Sequence, residues 1–277
     1  MIISDEVISS RNNPTVKWAA SLSDKKGRDA AKSFIVEGKK LVFEAVENFL
    51  PVTHIFVAES KKNVYIPEIM RFFKEKFLES TKISVLSDSA FEKISTEKAP
   101  QGIISVIKYL DFFRELDIIY KEEFFLEETE RAIILSSVRD PANLGAVIRS
   151  AVAFSAKHII LSADSADIYN PKTVRASMGS LFKVKVSYVK NLSDFINSAK
   201  ERGRRVFAAE LEDSAVSLSE LDVKPTDIFI IGNEGHGIEK ELSELATASV
   251  YIPISEKTES LNAAVAAGIF MWEQSKK

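Results

Sequence analysis

The sequence predicts an α/β fold: a mostly parallel sheet with helices on both faces, preceded by a smaller α/β domain. In the second half of the chain, strand-like apolar runs alternate with amphipathic helical patterns. These runs are continuously apolar, which is typical of parallel strands that are buried on both faces. The length of 277 residues allows one large or two modest domains, each with a proper core.

The first domain is predicted to span residues 1–110, with a compact alternation of strands and helices. A helix is expected over Thr15–Leu22, because the turn signal NNP stands just before it, and a turn is expected at Gly27. Further helices are predicted over Lys39–Phe49 and Pro67–Phe77. The strand-like runs are SFIVEG, VTHIFVAES, KISVLSD and GIISVIKYL.

The second domain is predicted to span residues 129–277. The stretch 111–130 is acidic and aromatic and contains no Gly or Pro, which favours a short helical connector over 111–128. In the second domain the strand-like runs are RAIILSSV, KHIILSAD, VKVSYV, RRVFAAEL, DIFIIG and SVYIPI. The helical patterns cover Asn143–Phe154, Pro171–Leu181, Leu192–Arg202, Ile238–Ala246 and Leu261–Gln274. Because ligands bind beyond the carboxyl ends of parallel strands, we expect function in the loops that follow these runs.

Composition excludes several classes of site. The chain has no cysteine, which rules out disulfides, thiolate-bound zinc, iron–sulfur clusters and cysteine nucleophiles. Its three histidines are scattered without metal-ligand spacing, so we expect no metal. The net charge of −3 and the pI of about 5.8 weaken a nucleic-acid role without excluding it, since a basic patch can lie on an acidic protein. The sequence shows neither a signal-peptide pattern nor the ~20-residue apolar run of a membrane helix, which predicts a cytoplasmic protein.

Three strand-to-helix junctions hold polar residues where function is expected, and the first reads SSVRDPANLGAVIRSAVAF. Asn143 falls at the predicted N-cap of a helix whose buried stripe starts at Leu144, and a cap side chain accepts from free backbone N–H groups. Arg149 lies about 140° around the helix from Leu144, at ~100° per residue, so it faces either a ligand or water. A capped helix with a solvated arginine is the alternative interpretation.

The second junction reads GNEGHG and directly follows the apolar run Ile228–Ile231. Gly232, Gly235 and Gly237 permit unusual backbone angles and a close approach of a ligand to the main chain. The spacing matches neither a Walker loop nor the GxGxxG fingerprint. Glu234 is suited to accept a hydrogen bond or to transfer a proton, and a tight turn with an exposed glutamate is the alternative.

The third junction reads YIPISEKTESLNAAVAAGIFMWE. Ser260 and Asn262 bracket the start of a helix that its alanines and Gly268 keep thin, so we expect another element to pack close to it. A plain N-cap is the alternative role for Ser260. Because no His–Asp relay accompanies Ser260, it is not expected to be a hydrolytic nucleophile.

Each junction alone is weakly specific, but their order and spacing together resemble a known signature. Asn143 with Arg149, then GNEGHG, then IPI…ESLNAA resembles the three motifs of the SPOUT superfamily, within its SpoU/TrmH branch. This resemblance covers residues 129–277. The first domain, through ISSRNNPTVKWAASL…GRDAAKSFIVEG…LVFEAV, is similar to the small ribosomal-protein-like RNA-binding domain that precedes the catalytic domain in many members. Ile254 departs from the family, which often has Met there, but the exchange is nearly isosteric.

The resemblance implies an S-adenosylmethionine-dependent RNA ribose 2′-O-methyltransferase. It also implies a deep trefoil knot in the second domain, which pattern alone does not predict because knots are nearly absent from proteins. The knotted loops would hold S-adenosylmethionine mostly through backbone groups. On this chain the implied cofactor-binding residues are Ala209, Glu210, Leu211, Gly232, Ile252 and Leu261. The strand would then end at Gly232 because the cofactor lies against bare main chain.

The implied catalytic residues are Asn143, Arg149, Glu234, Ser260 and Asn262. The family assigns activation of the ribose hydroxyl to the arginine, but a guanidinium with a pKa above about 12 is a poor base. We therefore expect Arg149 to bind the neighbouring phosphate and to stabilise developing alkoxide charge. Asn143 would position the ribose or Arg149, and Glu234 would orient these residues or the nucleotide. Ser260 and Asn262 would fix the cofactor end of the site.

The resemblance also implies RNA as the partner and a homodimer formed through the knotted domains. The basic residues expected to hold RNA are Arg11, Lys17, Lys25, Lys26, Arg28, Lys32, Lys172 and Arg175, with a solvated basic face as the alternative. Large-subunit ribosomal RNA is favoured over transfer RNA, because the small first domain is commoner among the ribosomal enzymes. Two rivals are a catalytically silent RNA-binding protein and a nucleotide- or NAD-dependent enzyme, and the second lacks its glycine fingerprints.

Overall fold

The computed structural model describes residues 2–3, 6–76, 81–110, 113–116, 126–127, 129–233 and 235–276. Contacts divide the chain into two compact units, the first made of residues 1–110 with 169–182 and the second of 111–168 with 183–277. The segment 169–182, which the sequence placed in the second domain, thus groups with the first unit. Within the described residues, every helix is too short or too polar to cross a membrane.

The first unit is built around a five-stranded sheet. Its strands are β1 (Ile2–Ile3), β2 (Ser33–Glu37), β3 (Val52–Ala58), β4 (Lys82–Leu86) and β5 (Ile103–Lys108), in the order β1-β4-β3-β5-β2. Four of these strands are the four predicted ones. The helices are α1 (Pro14–Ser21), α2 (Lys25–Ala31), α3 (Lys39–Glu47), α4 (Lys62–Lys76) and α5 (Asp88–Ile94). Helix α4 begins earlier than its predicted start at Pro67, because a 3₁₀ turn leads directly into it at Lys62.

The turn predicted at Gly27 is wrong, because α2 runs straight through this residue. A Cβ atom on Gly27 would lie 2.0 Å from the carbonyl oxygen of Ser21, so glycine is what lets α2 pack against the end of α1. The next residue, Arg28, is 2% exposed, and its Nη1 donates to the carbonyls of Leu22 (3.0 Å) and Ser23 (2.7 Å). Arg28 therefore holds the α1–α2 turn, and the prediction that it binds RNA is wrong.

The second unit contains an eight-stranded sheet. Its strands are β6 (Phe113–Leu116), β7 (Ala132–Leu135), β8 (His158–Ser162), β9 (Lys185–Val189), β10 (Val206–Ala209), β11 (Val216–Ser217), β12 (Ile228–Ile231) and β13 (Ala248–Tyr251). The strand order is β11-β13-β10-β12-β7-β8-β9-β6, and every neighbouring pair is parallel. The remaining helices are α6 (Pro141–Ala153), α7 (Pro171–Ala176), α8 (Leu192–Glu201), α9 (Lys240–Leu245) and α10 (Ala263–Ser275), of which α7 groups with the first unit. The predicted α/β class with a parallel sheet is confirmed.

Every residue of the central strands β7 and β12 is buried, because helices cover both faces of this sheet. On β12, Ile228 and Ile230 belong to a core cluster that includes Phe195 of α8. Between them Phe229 points to the opposite face, where its ring stacks on Phe270 of α10 at 4.6 Å between centroids. A parallel strand that alternates between two helical layers must be apolar at every position, as its sequence is.

The prediction of a helical connector over 111–128 is wrong for the part that the structure describes as a strand. Residues Phe113–Leu116 form β6, which pairs in parallel with β9 at the edge of the sheet. Long-range pairing with a strand about 70 residues later in the chain outweighs the local helical preference. Residues 111–112, 117–125 and 128 of the connector lie outside the described residues.

The amino edge of the sheet is held by buried charged groups. Asp227, which precedes β12 and is 1% exposed, accepts from Nε (2.9 Å) and Nη2 (2.6 Å) of Arg205. Arg204 donates to the carbonyls of Glu130 (2.8 Å) and Thr226 (3.2 Å). The bonds of Arg204 satisfy backbone groups at the edge opposite to the one where ligands of parallel sheets bind.

Candidate active site

The carboxyl edge of the sheet carries all three junctions predicted from the sequence. The first, between β7 and α6, starts with Asp140, whose side chain accepts from the N–H groups of Ala142 (2.8 Å) and Asn143 (2.9 Å). Asp140 is therefore the N-cap of α6, and the prediction that Asn143 caps this helix is wrong. The dipeptide Asp140-Pro141 carried the signal, because aspartate is favoured at the N-cap and proline at the first helical position.

The side chain of Asn143 instead contacts another element. Its Oδ1 accepts a hydrogen bond of 3.0 Å from Nδ2 of Asn262, 119 residues later in the chain. Asn262, and not Ser260, is the N-cap of α10, since its Oδ1 accepts from the N–H groups of Ala264 (3.0 Å) and Val265 (3.3 Å). One amide group thus caps α10 and joins the first junction to the third.

The second junction folds back on itself and attaches to the first. Asn233 and Gly237 exchange backbone hydrogen bonds of 3.0 and 2.8 Å, and Nδ2 of Asn233 donates to the carbonyl of Ser137 at 2.8 Å. A Cβ atom on Gly232 would lie 2.4 Å from the carbonyl group of Gly237. Glycine is thus required here by the returning main chain of the loop itself. Glu234, predicted to be catalytic, lies outside the described residues.

A cavity of about 430 Å³ opens beyond β10 and β13. Five of the six predicted cofactor-binding residues line it: Ala209, Glu210, Leu211, Ile252 and Leu261. Ser260 lines the cavity as well, whereas Gly232 is not among its described lining residues. Sequence analysis missed Phe270, which comes from α10 and reaches the cavity only because α10 packs back onto β12.

Glu210 contributes a hydrogen-bonded carboxylate to the lining of this cavity. Its Oε1 accepts from the hydroxyl groups of Ser243 and Ser249, the latter at 2.9 Å. Both donors converge on one carboxylate oxygen, so Oε2 keeps acceptor capacity in the described part of the structure. The resemblance implied mostly backbone contacts here, and the structure adds a carboxylate to the residues that line the cavity.

Comparisons with known proteins agree with this geometry. The model of the SpoU rRNA methylase family matches residues 130–272, and that of the MRM3-like substrate binding domain matches residues 13–105. The chain belongs to the SpoU rRNA methylase family. It is 30% identical to the 23S rRNA (guanosine(2553)-2′-O)-methyltransferase RlmP of Bacillus subtilis, over 96% of this chain and 97% of that protein. It is 28% identical to the 23S rRNA (uridine(2479)-2′-O)-methyltransferase of Streptomyces viridochromogenes, over 96% of this chain and 90% of that protein.

A solved structure extends the likeness of this SpoU family member to the fold. The AdoMet-bound rRNA methyltransferase of Sinorhizobium meliloti superimposes with a TM-score of 0.83 at 29% identity, over 99% of this chain and 98% of that chain. The SPOUT fold and the family that the motifs implied are thereby confirmed. The match over nearly the full length of both chains includes the first unit as well as the second.

Arg149 of the SpoU motif lies exposed on α6. Within the described residues it takes part in no hydrogen bond or ion pair, so its guanidinium is available to a ligand. A second open cavity, of about 650 Å³, runs between α6 and α10 beside it. Asn143 and Asn262 lie in this groove, together with the apolar side chains of Val265 and Trp272.

The residues predicted to bind RNA differ in their surroundings within the first unit. The exposed ones are Arg11, Lys17, Lys25, Lys26, Lys32, Lys172 and Arg175. Arg175 forms an ion pair with Glu97, so part of its charge is already neutralised within the unit. Arg28 is buried, as described above. Five of the exposed basic residues lie between positions 11 and 32.

Proposed function

We infer that this chain is an S-adenosylmethionine-dependent RNA ribose 2′-O-methyltransferase, and we propose large-subunit ribosomal RNA as its substrate. The observation that carries the inference is the cavity at the carboxyl edge of the parallel sheet. It combines five residues that the motifs marked for the cofactor, in a chain that belongs to the SpoU rRNA methylase family. The two similar proteins named above are both 23S rRNA 2′-O-methyltransferases, which favours ribosomal RNA.

The cavity fits S-adenosylmethionine in size and chemistry. Its volume of about 430 Å³ lies within the range of roughly 300–1,000 Å³ that small-molecule sites occupy. Leu211, Ile252 and Phe270 provide apolar walls, and Oε2 of Glu210 can accept from a ribose hydroxyl of the ligand. When bound, S-adenosylmethionine supplies an electrophilic methyl group on a positively charged sulfur. Apolar walls favour methyl transfer because that charge disappears during the reaction.

Arg149 is proposed to act on the RNA side of the reaction. Its guanidinium stays protonated, so it cannot remove the proton of the ribose hydroxyl, but it can bind the adjacent phosphate and stabilise negative charge on the attacking oxygen. The proton would then pass to water or to Glu234. Asn143 is proposed to position the ribose, and Ser260 and Asn262 to fix the cofactor end of the loop.

The variant Arg149→Lys tests this role, since it keeps the charge and removes the planar fork. We expect kcat to fall at least about 10-fold, while the Kd for S-adenosylmethionine stays unchanged because Arg149 does not line the cofactor cavity. Methylation of RNA by this variant at the wild-type rate would contradict the proposed role of the fork.

Mapping ribose methylation across total RNA, with and without the gene, tests the substrate. Loss of a single 2′-O-methyl mark in large-subunit ribosomal RNA would support the proposal and identify the nucleotide. Loss of a mark in transfer RNA would favour the alternative substrate instead. If no mark is lost although calorimetry detects S-adenosylmethionine binding, the chain is a catalytically silent RNA-binding member of the family.

A homodimer is proposed to form through the groove between α6 and α10. Trp272 is 47% exposed and Val265 is 50% exposed there. A second copy in this groove would cover apolar surface and border Asn143 and Asn262 at the active site. Light scattering should report a dimer that Trp272→Arg dissociates and that Val64→Arg, at an equally exposed apolar position on α4, leaves intact.

The remaining implications of the resemblance are also proposals. We propose that the backbone of the second unit forms a trefoil knot and that the protein works in the cytoplasm without a metal. The family membership supports these points. An experimental structure whose backbone trace is unknotted would contradict the knot. Loss of methylation on treatment with EDTA would contradict the metal-free reaction.

A further inference from the structure

A single carboxylate gathers the loops at the carboxyl ends of β7 and β8. Asp164 follows β8, and its Oδ1 accepts from the hydroxyl of Ser162 at 2.7 Å. Its Oδ2 accepts from the hydroxyl of Ser137 at 2.8 Å. The same Oδ2 accepts from Nη2 (2.7 Å) and Nε (3.2 Å) of Arg139. Four donor groups, from the loop after β7 and from the end of β8, therefore meet on one side chain, which the sequence motifs did not mark.

The backbone that this carboxylate holds is strained. Ser137 has a φ of +56°, a left-handed conformation that residues other than glycine seldom adopt. Its N–H donates to the hydroxyl of Ser162 at 2.8 Å, so Ser137 is held through both its main chain and its side chain. A residue kept in this conformation points to a backbone position that the surrounding structure requires.

The strained residue touches both motif loops. The carbonyl of Ser137 accepts from Nδ2 of Asn233 in the GNEGHG loop. Three residues after Ser137 along the chain, Asp140 caps α6, the helix that carries Asn143 and Arg149. The position of Ser137 thus sets both the start of α6 and the position of the glycine-rich loop.

We propose that Asp164 is a positioning residue of the methyltransferase: it fixes Ser137 and thereby aligns the loop that contains Glu234 with the helix that contains Arg149. This inference rests on the proposed function. Among the described residues, the hydrogen-bond partners of Asp164 are not lining residues of the cofactor cavity. Its loss should therefore disturb catalysis while cofactor binding persists.

The ionisation of Asp164 suits this role. Its partial burial by itself would raise its pKa, but hydrogen bonds from Arg139 and the two serines outweigh that effect and lower the pKa to about 2. The other charged groups of this cluster are Arg139 and, at the start of α6, Asp140. The carboxylate therefore stays ionised at every pH at which the enzyme works, so its titration should leave no step in the pH–rate profile.

The variant Asp164→Asn keeps the size of the side chain and one acceptor oxygen but removes the charge. Because misplacement of reacting groups by about 1 Å can cost ~100-fold in rate, we expect kcat to fall by about 10- to 100-fold. The Kd for S-adenosylmethionine should stay within about 2-fold of wild type. Asp227→Asn is the matched control, since Asp227 also receives two nitrogens of an arginine but lies at the amino edge of the same sheet. It should lower the Tm and leave kcat unchanged.

A second variant separates positioning from simple loss of stability. Glycine adopts positive φ without strain, so Ser137→Gly in the Asp164→Asn background should recover a large part of kcat. The inference is overturned if Asp164→Asn methylates at the wild-type rate, or if Ser137→Gly restores nothing. It is also overturned if Asp164→Asn lowers only the Tm, as Asp227→Asn should, or if it weakens cofactor binding by more than about 2-fold. A wild-type protein that methylates no RNA would overturn the proposed function itself.

Discussion

The hydrogen bond between Asn143 and Asn262 should be measurable as a coupling energy. Asn262→Ala removes both the cap of α10 and the bond to Asn143, which are worth about 1 kcal/mol each. We therefore expect a loss of about 2 kcal/mol in the free energy of unfolding. Asn262→Ser keeps a good cap and removes only the bond, for a loss of about 1 kcal/mol. The double variant Asn143→Ala with Asn262→Ala should lose no more than about 2 kcal/mol beyond the other contacts of Asn143, because the shared bond is lost only once.

The unfolding of the second unit can be followed separately from that of the first. The chain has only two tryptophans, so in a Trp18→Phe background the fluorescence of Trp272 on α10 reports this unit alone. Urea unfolding of the parent protein, Asn143→Ala, Asn262→Ala and the double variant in that background gives the coupling energy directly. The reasoning is refuted if the coupling is below about 0.3 kcal/mol, the error expected for independent sites. It is also refuted if Asn262→Ser is as unstable as Asn262→Ala.

Three further predictions follow from single residues. Gly232→Ala should lower kcat at least about 10-fold, because its Cβ atom would lie 2.4 Å from main-chain atoms. Gly235→Ala should be tolerated, since the nearest atom to its Cβ would lie at 3.4 Å. Steady-state kinetics of both variants tests this difference. Arg28→Ala should lower the Tm with little effect on RNA affinity, whereas Lys26→Ala should weaken RNA binding and reduce its salt dependence, which filter binding at two salt concentrations measures. Burial first, and a nearby lysine second, lower the pKa of His158 from 6.5 to about 3. The stability from its neutral form is therefore complete above about pH 6.5 and is lost as the pH falls towards 3, by roughly 5 kcal/mol at most. In His158→Gln the urea midpoint of unfolding should change less with pH across that range. An unchanged pH dependence in this variant would contradict the claim that His158 causes the loss of stability.

The sheet was predictable because its sequence pattern is unambiguous. Strands such as Ala132–Leu135 and Ile228–Ile231 are apolar at every position and are bounded by polar loops. Residues Phe113–Leu116 lacked that pattern, and only pairing with β9 makes them a strand. A single sequence contains no signal for such a long-range partner, so the local helical preference was misleading.

The motif loops were predictable in place but not in detail. Five of the six residues predicted to bind the cofactor line one cavity, yet the sequence placed a helix cap at Asn143 and offered Ser260 as an alternative cap. The true caps, Asp140 and Asn262, follow from the same capping rules applied two or three residues away. The structure adds a reason for Gly232 that the sequence did not give, since the loop's own main chain excludes a side chain there.

The burial of Arg28 shows what a charge pattern cannot reveal. In the sequence it is one of several basic residues around Gly27, and its neighbours are indeed exposed. Only the close packing of α2 on the end of α1 turns its guanidinium towards two carbonyl groups. Asp164 was missed for the same reason, because its donors come from loops separated in the chain.

The way in which α10 is fastened has a consequence for turnover. Asn262 holds one end of this helix to α6, and at the far end Gln274, 1% exposed, donates to the backbone carbonyl of Asp227 at the amino edge of the sheet. By contrast, residues 252–261, all of which the structure describes, lie outside helices and strands and are largely exposed. The demethylated cofactor must leave after every cycle, so its exit should proceed by opening of this stretch while α10 stays in place. Amide protons of 252–261 should then exchange with solvent far faster than those of α10, and the release step should set how quickly successive transcripts are modified.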